Sequence, residues 1–305
     1  MDRKENGGLP PAAVAEAVLI AAIWGFNFVV IKAGVSGMPP LMLAALRFVL
    51  SAFPAILVVK RPEAPPVRVA AYGLLLGVGE FGLLLTALKL GAPAGLSSIL
   101  LQSQAFFTAA IAAVALKERI RARSVVGMAV AGAGLVLIAT GSAGPSAAGG
   151  GIAPRLVAMV LLAALAWAGA NVAARTMPKV GGLSLMAWSS LWSPLPLAAL
   201  SLAFEGPRAV GASFASLGWI TIGALAYLAL LSTLLGYGLW NGLIMRHGAS
   251  RIAPFSLLVP AFSLASAFLF LGERFRPVDA AGALLILAGL LIHALGGRRV
   301  EATPR

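Results

Sequence analysis

The chain has no cysteine in 305 residues, which removes disulfides, thiol nucleophiles and cysteine-held metals at once. Charge is nearly as scarce. Only 11% of residues are charged and ten are acidic, whereas a soluble domain carries about a quarter charged residues. No HExxH pair, Walker loop or dinucleotide glycine loop occurs, nor any nucleophile–base set. His247 and His293 have no evident partner in the sequence. The expectation is a protein that is not an enzyme, needs no cofactor or metal, and does not itself hydrolyse ATP.

Apolar length is what the chain has in abundance. Sixty per cent of residues are hydrophobic and the mean hydropathy is +0.96. A helix needs about 20 apolar residues to cross roughly 30 Å of hydrocarbon. Charged, proline and glycine-rich joints divide the chain into ten such segments, at about 12–32, 40–59, 69–89, 94–116, 124–141, 155–175, 181–204, 214–245, 250–271 and 278–297. The runs are too long for strands and lack period-two alternation. The first recurs in the second half, so it reads as a retained helix rather than a signal peptide. Gly141 to Gly151 is rich in glycine, serine and alanine and reads as a connector.

The net charge of +13 does not point to nucleic acid, because the basic residues lie in short clusters between apolar runs. They report topology instead. With both termini in the cytoplasm, 16 of the 23 Lys and Arg residues fall on that side and six outside, with Arg47 inside a segment. The expected location is the bacterial inner membrane.

The sequence also repeats itself. Trp24-Gly25-Phe26-Asn27 followed by Lys32 recurs as Trp167-Ala168-Gly169-Ala170-Asn171 followed by Arg175. Leu116-Lys117-Glu118-Arg119 recurs as Leu271-Gly272-Glu273-Arg274, and Gly127 and Gly134 recur as Gly282 and Gly289. Five segments per half is an odd number, so the second copy must be inverted. The charge pattern agrees: Lys117 to Arg123 carries four bases against one acid, while Gly272 to Asp279 carries two of each. The expected fold is therefore an all-α integral membrane protein, one transmembrane domain over 1–305. Its ten transmembrane helices form two inverted five-helix repeats, at about 12–141 and 155–297.

At these residues the chain resembles the EamA-type branch of the drug/metabolite transporter superfamily. Ten segments in two halves, the Trp24 to Asn27 segment, Leu46-Arg47-Phe48 and the Glu-Arg pairs after the fourth and ninth segments carry the resemblance over nearly the whole chain. The second half departs from the pattern, since Asn171 is shifted by one and nothing like Arg47 occurs near Leu191 or Trp192. The resemblance implies a secondary transporter that exports amphipathic small molecules by alternating access between the halves. Relatives of this kind export amino acids, aromatic ones among them, and varied metabolites and toxic organic compounds. An aromatic or large apolar amino acid is the leading expectation. A carrier of nucleotide-like or other organic metabolites is the alternative, with a polytopic membrane enzyme behind it; a nucleotide-like substrate would need several mid-depth cations where only Arg47 is present.

Inverted-repeat carriers bind substrate near the bilayer midplane between the halves. The residues expected there are Trp24 and Asn27, Trp167 and Asn171, Glu80, Gln102, and the Tyr237, Trp240 and Asn241 face. Glu80 is the only carboxylate well inside a segment. At a 1.5 Å rise it lies about 13 Å from the outer boundary, and Arg47 about 10 Å. Three readings stand for Glu80: a structural pair with Arg47, a place on the cavity wall, and a pair with Lys89, which sits nearer the interface. Gln102 and Gln104 cannot share a regular helical face, so one at most is expected at the cavity. Trp188 and Trp192 share a face, and Pro194 and Pro196 should bend their segment.

Overall fold

The computed structural model describes residues 9–117, 122–141, 152–177 and 180–296, and all regular structure among them is helical. The first half contains α1 (Pro11–Gly37), α2 (Pro40–Ile56), α3 (Pro66–Lys89), α4 (Ala94–Ala115) and α5 (Ala122–Gly141). The second contains α6 (Pro154–Arg175), α7 in two arms (Gly182–Ser189 and Pro194–Glu205), α8 (Trp219–His247), α9 (Pro254–Leu271) and α10 (Pro277–Gly296). Six helices are long and apolar enough to cross a bilayer, or seven with the arms of α7 joined. Three shorter apolar helices stand at the remaining positions, so ten crossings is a count this set accommodates.

Proline sets many of the starts. Pro11, Pro40, Pro66, Pro154, Pro194 and Pro277 each open a helix, where the fixed φ suits the first turn and the missing N–H would have had no partner. The arms of α7 meet at 42° just before Pro194, as its two prolines lead one to expect. A short helix at Pro207–Ala215, not foreseen in the sequence, follows α7.

The halves share their irregularities as well as their helices. The third helix of each half carries a wide π-helical stretch, Leu75–Gly82 in α3 and Tyr227–Leu235 in α8. The fourth is irregular too. In α4 the backbone breaks at Gln102–Ser103, and α9 opens through a 3-10 turn at Ala253–Leu257. Each half also makes the same left-handed turn after its fourth helix, at Lys117 (φ 56°) and Gly272 (φ 64°). Glycine adopts that conformation freely, whereas a residue with a Cβ does so at a cost of about 1 kcal/mol.

Inversion is visible where α5 meets α10. A Cβ on Gly127 would run into the Gly289 carbonyl, and one on Gly289 into the Gly127 carbonyl; Gly134 and Gly282 face each other in the same way. The start of α5 therefore lies against the end of α10, so the two helices run antiparallel. Gly127 corresponds to Gly282 and Gly134 to Gly289 in the repeat. The contact 127–289 thus maps onto 282–134, the self-complementary pattern that a two-fold axis imposes. Small residues let the backbones approach, which is how helices gain van der Waals contact where lipid is as apolar as leucine. His293 joins this seam, with Nδ1 hydrogen-bonded to Ser124 Oγ and its ring edge-on to Phe106 at 5.3 Å.

Polar ties gather at the two ends of the bundle. At one end, Arg68 Nη1 donates to the Thr176 carbonyl (2.8 Å), Ser184 Oγ to the Lys60 carbonyl (2.7 Å), and Arg246 pairs with Glu16 (2.9 Å). At the other, Lys32 pairs with Glu273 (2.9 Å), Lys89 donates to the Val35 carbonyl, and the Leu41 amide donates to Glu205 (2.9 Å). The Glu273 carboxylate also accepts the Ala94 and Gly95 amides, at 2.7 and 3.1 Å. One side chain thereby caps the first turn of α4 and ties it to α1 and α9.

Replacing Gly134 by leucine should force α5 from α10 and cost about 1–3 kcal/mol, read as a lowered melting temperature of the detergent-purified protein. Gly132, on the same helix, faces open space, and Gly132→Leu should leave the transition nearly unchanged. Equal transitions for the two variants would refute the close seam.

Candidate functional site

Between the halves lies a cavity of about 550 Å³, within the range of small-molecule sites. Trp24, Asn27 and Phe28 of α1, Arg47 of α2, and Tyr72, Glu80, Phe81 and Leu84 of α3 line it from the first half, with Ser98, Gln102 and Gln104 of α4. Trp167 and Asn171 of α6, Ser232, Tyr237 and Trp240 of α8, and Ser256 line it from the second. Eight of the nine residues expected from the sequence are thus on one surface. The ninth, Asn241, has a side chain outside the described residues.

The cavity reaches one end of the bundle. Met177, Val180, Gly181 and Gly182 line it at the α6–α7 turn, with Ile244 and Met245 at the end of α8, and Met245 is 79% exposed. Towards the other end it stops at Phe28, Leu84 and Ser98. Ser98 lies about one turn from Ala94 and Gly95, whose amides the Glu273 carboxylate holds. The Lys32–Glu273 tie therefore lies beyond the end of the cavity opposite the mouth.

The irregular helices shape this surface. In the π stretch of α8 the Ser232 carbonyl accepts the Trp24 indole N–H (3.0 Å), and Thr233 Oγ1 donates to the Leu228 carbonyl five residues back (2.7 Å). Tyr227 adds a bond from its hydroxyl to the Ile23 carbonyl (2.7 Å). A π turn widens the helix and offers backbone oxygens that an α-helix would use itself, a device common at functional sites. The Trp24 ring then sits 5.3 Å from both Tyr237 and Trp240, forming one aromatic wall.

The break in α4 corrects one expectation. Both Gln102 and Gln104 line the cavity, because Gln102 and Ser103 form a turn with i→i−3 bonds to Ile99 and Leu100 rather than a regular helix. Gln104 Oε1 accepts the Asn171 amide (2.8 Å), and Gln102 Nε2 donates to the Ser256 carbonyl (3.4 Å).

Arg47 does not form an ion pair with Glu80. Its Nε and Nη2 donate to Thr233 Oγ1 (3.2 and 3.0 Å), and its guanidinium lies 3.8 Å from the centre of the Phe81 ring. Both residues line the cavity, and Lys89 donates to the Val35 carbonyl rather than to Glu80. The sequence offered no sign of Thr233, 186 positions away, as the anchor of Arg47. Tyr72 was missed as well, since a single tyrosine in an apolar run carries no pattern. Trp188 and Trp192 stand elsewhere. They line a separate depression of about 380 Å³ beside Arg61–Pro66, where the Trp188 indole donates to the Val59 carbonyl (3.0 Å).

With this geometry in view, known proteins supply the family. Residues 12–140 and 155–295 each match the EamA-like transporter family. The chain belongs to that family. It is 44% identical to a Salmonella typhimurium protein named "Probable amino-acid metabolite efflux pump", over 95% of this chain and 96% of the relative. An Escherichia coli K12 protein of the same name is 41% identical, over 92% and 94%. A Streptantibioticus cattleyicolor protein named "Probable terminal-alkyne amino-acid exporter" is 29% identical, over 96% and 97%. A solved crystal structure shares the fold, with a TM-score of 0.62 at 21% identity over 96% of this chain and 99% of the other. The protein is thus a multi-pass membrane transporter of the EamA-like family and not an enzyme, and its named relatives support export of amino-acid-like compounds.

Proposed function

We propose that this protein exports amino acids and their derivatives, aromatic or large apolar ones best, by alternating access across the bacterial inner membrane. The observation that carries the reading is a cavity built from both inverted halves, which reaches one end of the bundle and stops short of the Lys32–Glu273 tie at the other. In an inverted repeat, exchanging the conformations of the halves exchanges the ends, so the cavity would face the two sides of the membrane in turn. The wall of Trp24, Tyr237 and Trp240, with Trp167 from α6, offers an apolar surface for a side chain. A phosphorylated substrate fits poorly, because Arg47 is the one cation among the described lining residues.

The distribution of Lys and Arg supports both termini, and therefore the mouth at the α6–α7 turn, on the cytoplasmic side. An exporter collects its substrate there.

Efflux of a phenylalanine-like substrate from proteoliposomes tests the wall. Trp24→Ala and Trp167→Ala should each raise the half-saturating concentration about tenfold, the loss of roughly 1.4 kcal/mol of contact. Unchanged kinetics in both variants, with normal insertion, would make these residues packing alone. Orientation has its own check, helped by the absence of native cysteine. A cysteine placed at Ala148, in the connector outside the described residues, should react with an impermeant reagent on intact cells. Reaction only after the cytoplasmic face is opened would reverse the topology.

A further inference from the structure

Three residues that line the cavity each carry a buried atom with no hydrogen-bond partner: Arg47 Nη1, Glu80 Oε2 and Asn27 Oδ1. Arg47 and Glu80 are 1% and 3% exposed. Charges so deeply buried pair with each other or serve a ligand, because an isolated charge in hydrocarbon is very unfavourable. These two share one cavity and do not pair. Arg47 is fixed by Thr233 and by the Phe81 ring with Nη1 to spare, while Glu80 sits on the π stretch of α3 with Oε2 unpartnered.

The spare atoms differ in kind. Nη1 only donates, whereas Oε2 of the ionised carboxylate and Oδ1 only accept. A carboxylate only accepts and an ammonium only donates, so the set is complementary to a molecule that carries both. Resting on the amino-acid reading above, we infer that the site recognises its substrate as a zwitterion. Arg47 Nη1 receives the α-carboxylate, Glu80 Oε2 and Asn27 Oδ1 receive the α-ammonium, and the side chain is left to the aromatic wall. The same arrangement rejects near neighbours. A simple amine would leave Arg47 unpaired and a simple carboxylic acid would leave Glu80 unpaired, each at the cost of a stranded buried charge. Arg47 is thereby assigned to substrate selection as well as to the contact with Thr233.

Competition against efflux of a labelled amino acid from proteoliposomes tests this. Three competitors are compared: the parent amino acid, its methyl ester, which lacks the carboxylate, and its N-acetyl derivative, which lacks the ammonium. With the unmodified protein, the ester and the N-acetyl compound should each compete at least tenfold more weakly than the parent. Glu80→Gln should weaken the parent about tenfold and bring the N-acetyl compound close to it, while Arg47→Gln should do the same for the ester. If Arg47→Gln does not fold, the ester against the unmodified protein answers the same question.

Equal competition by all three compounds would overturn zwitterion recognition and leave amino-acid export standing. If the folded protein releases no amino acid at all, the export reading falls and this one with it. Loss of pH-gradient dependence in Glu80→Gln, with undiminished discrimination against the N-acetyl compound, would make Glu80 a proton carrier and also overturn the assignment.

Discussion

The bilayer interior provides no water for a polar group, so every donor, acceptor and charge at that depth needs a partner in the protein or a wet cavity. This constraint organises the molecule. Backbone groups satisfy it by forming helices, and polar side chains mostly by bonding to those helices. The exceptions are informative. Six buried side-chain polar atoms among the described residues lack a partner, and three of them belong to Asn27, Arg47 and Glu80, which line the central cavity. The other three are serine hydroxyls on α4 and α9, which are far cheaper to leave unpaired than a charge.

The cavity exists because two inverted copies meet. Antiparallel packing of α5 against α10 through four glycines brings the equivalent helices into a two-fold arrangement. The third helices then contribute their π stretches, and the fourth helices their breaks, to the same central space. Irregular backbone is tolerated at membrane depth only where protein or water covers it, and here it lines the cavity. The repeated left-handed turn at Lys117 and Gly272 shows that the copies retain backbone geometry where side chains have diverged. At Glu273 that turn delivers a carboxylate to the start of α4 and to Lys32, tying the helix ends together beyond the cavity.

Much of this was legible in the residues. Hydropathy located the helices, the odd number of segments per half demanded inversion, and charge bias agreed with it. Depth and symmetry brought Trp24 and Trp167 to the centre, and the i, i+3 spacing brought Tyr237 and Trp240 together. Helical periodicity failed where the helix itself fails. Gln102 and Gln104 share a wall only because a turn separates them, and no periodic rule anticipates that. Nor does the π stretch of α8 leave a signal, since its partners, the Trp24 indole and the Ile23 carbonyl, lie some 200 positions away in sequence. Arg47 and Glu80 were recognised as an unusual coincidence of charges. Their separation, though, depends on Thr233 and Phe81, which only the packed structure brings to Arg47.

The central claim is that the transported molecule passes through this one cavity. Ala174 lines it near the mouth and matches cysteine in size, whereas Leu162 on the same helix is 52% exposed on the outside of the bundle. With no native cysteine to interfere, Ala174→Cys and Leu162→Cys can be treated with a bulky thiol reagent and assayed for amino-acid efflux from proteoliposomes. The account predicts that modification at 174 blocks efflux, that saturating substrate slows the modification, and that modification at 162 changes neither. Full efflux after complete modification at 174 would contradict it.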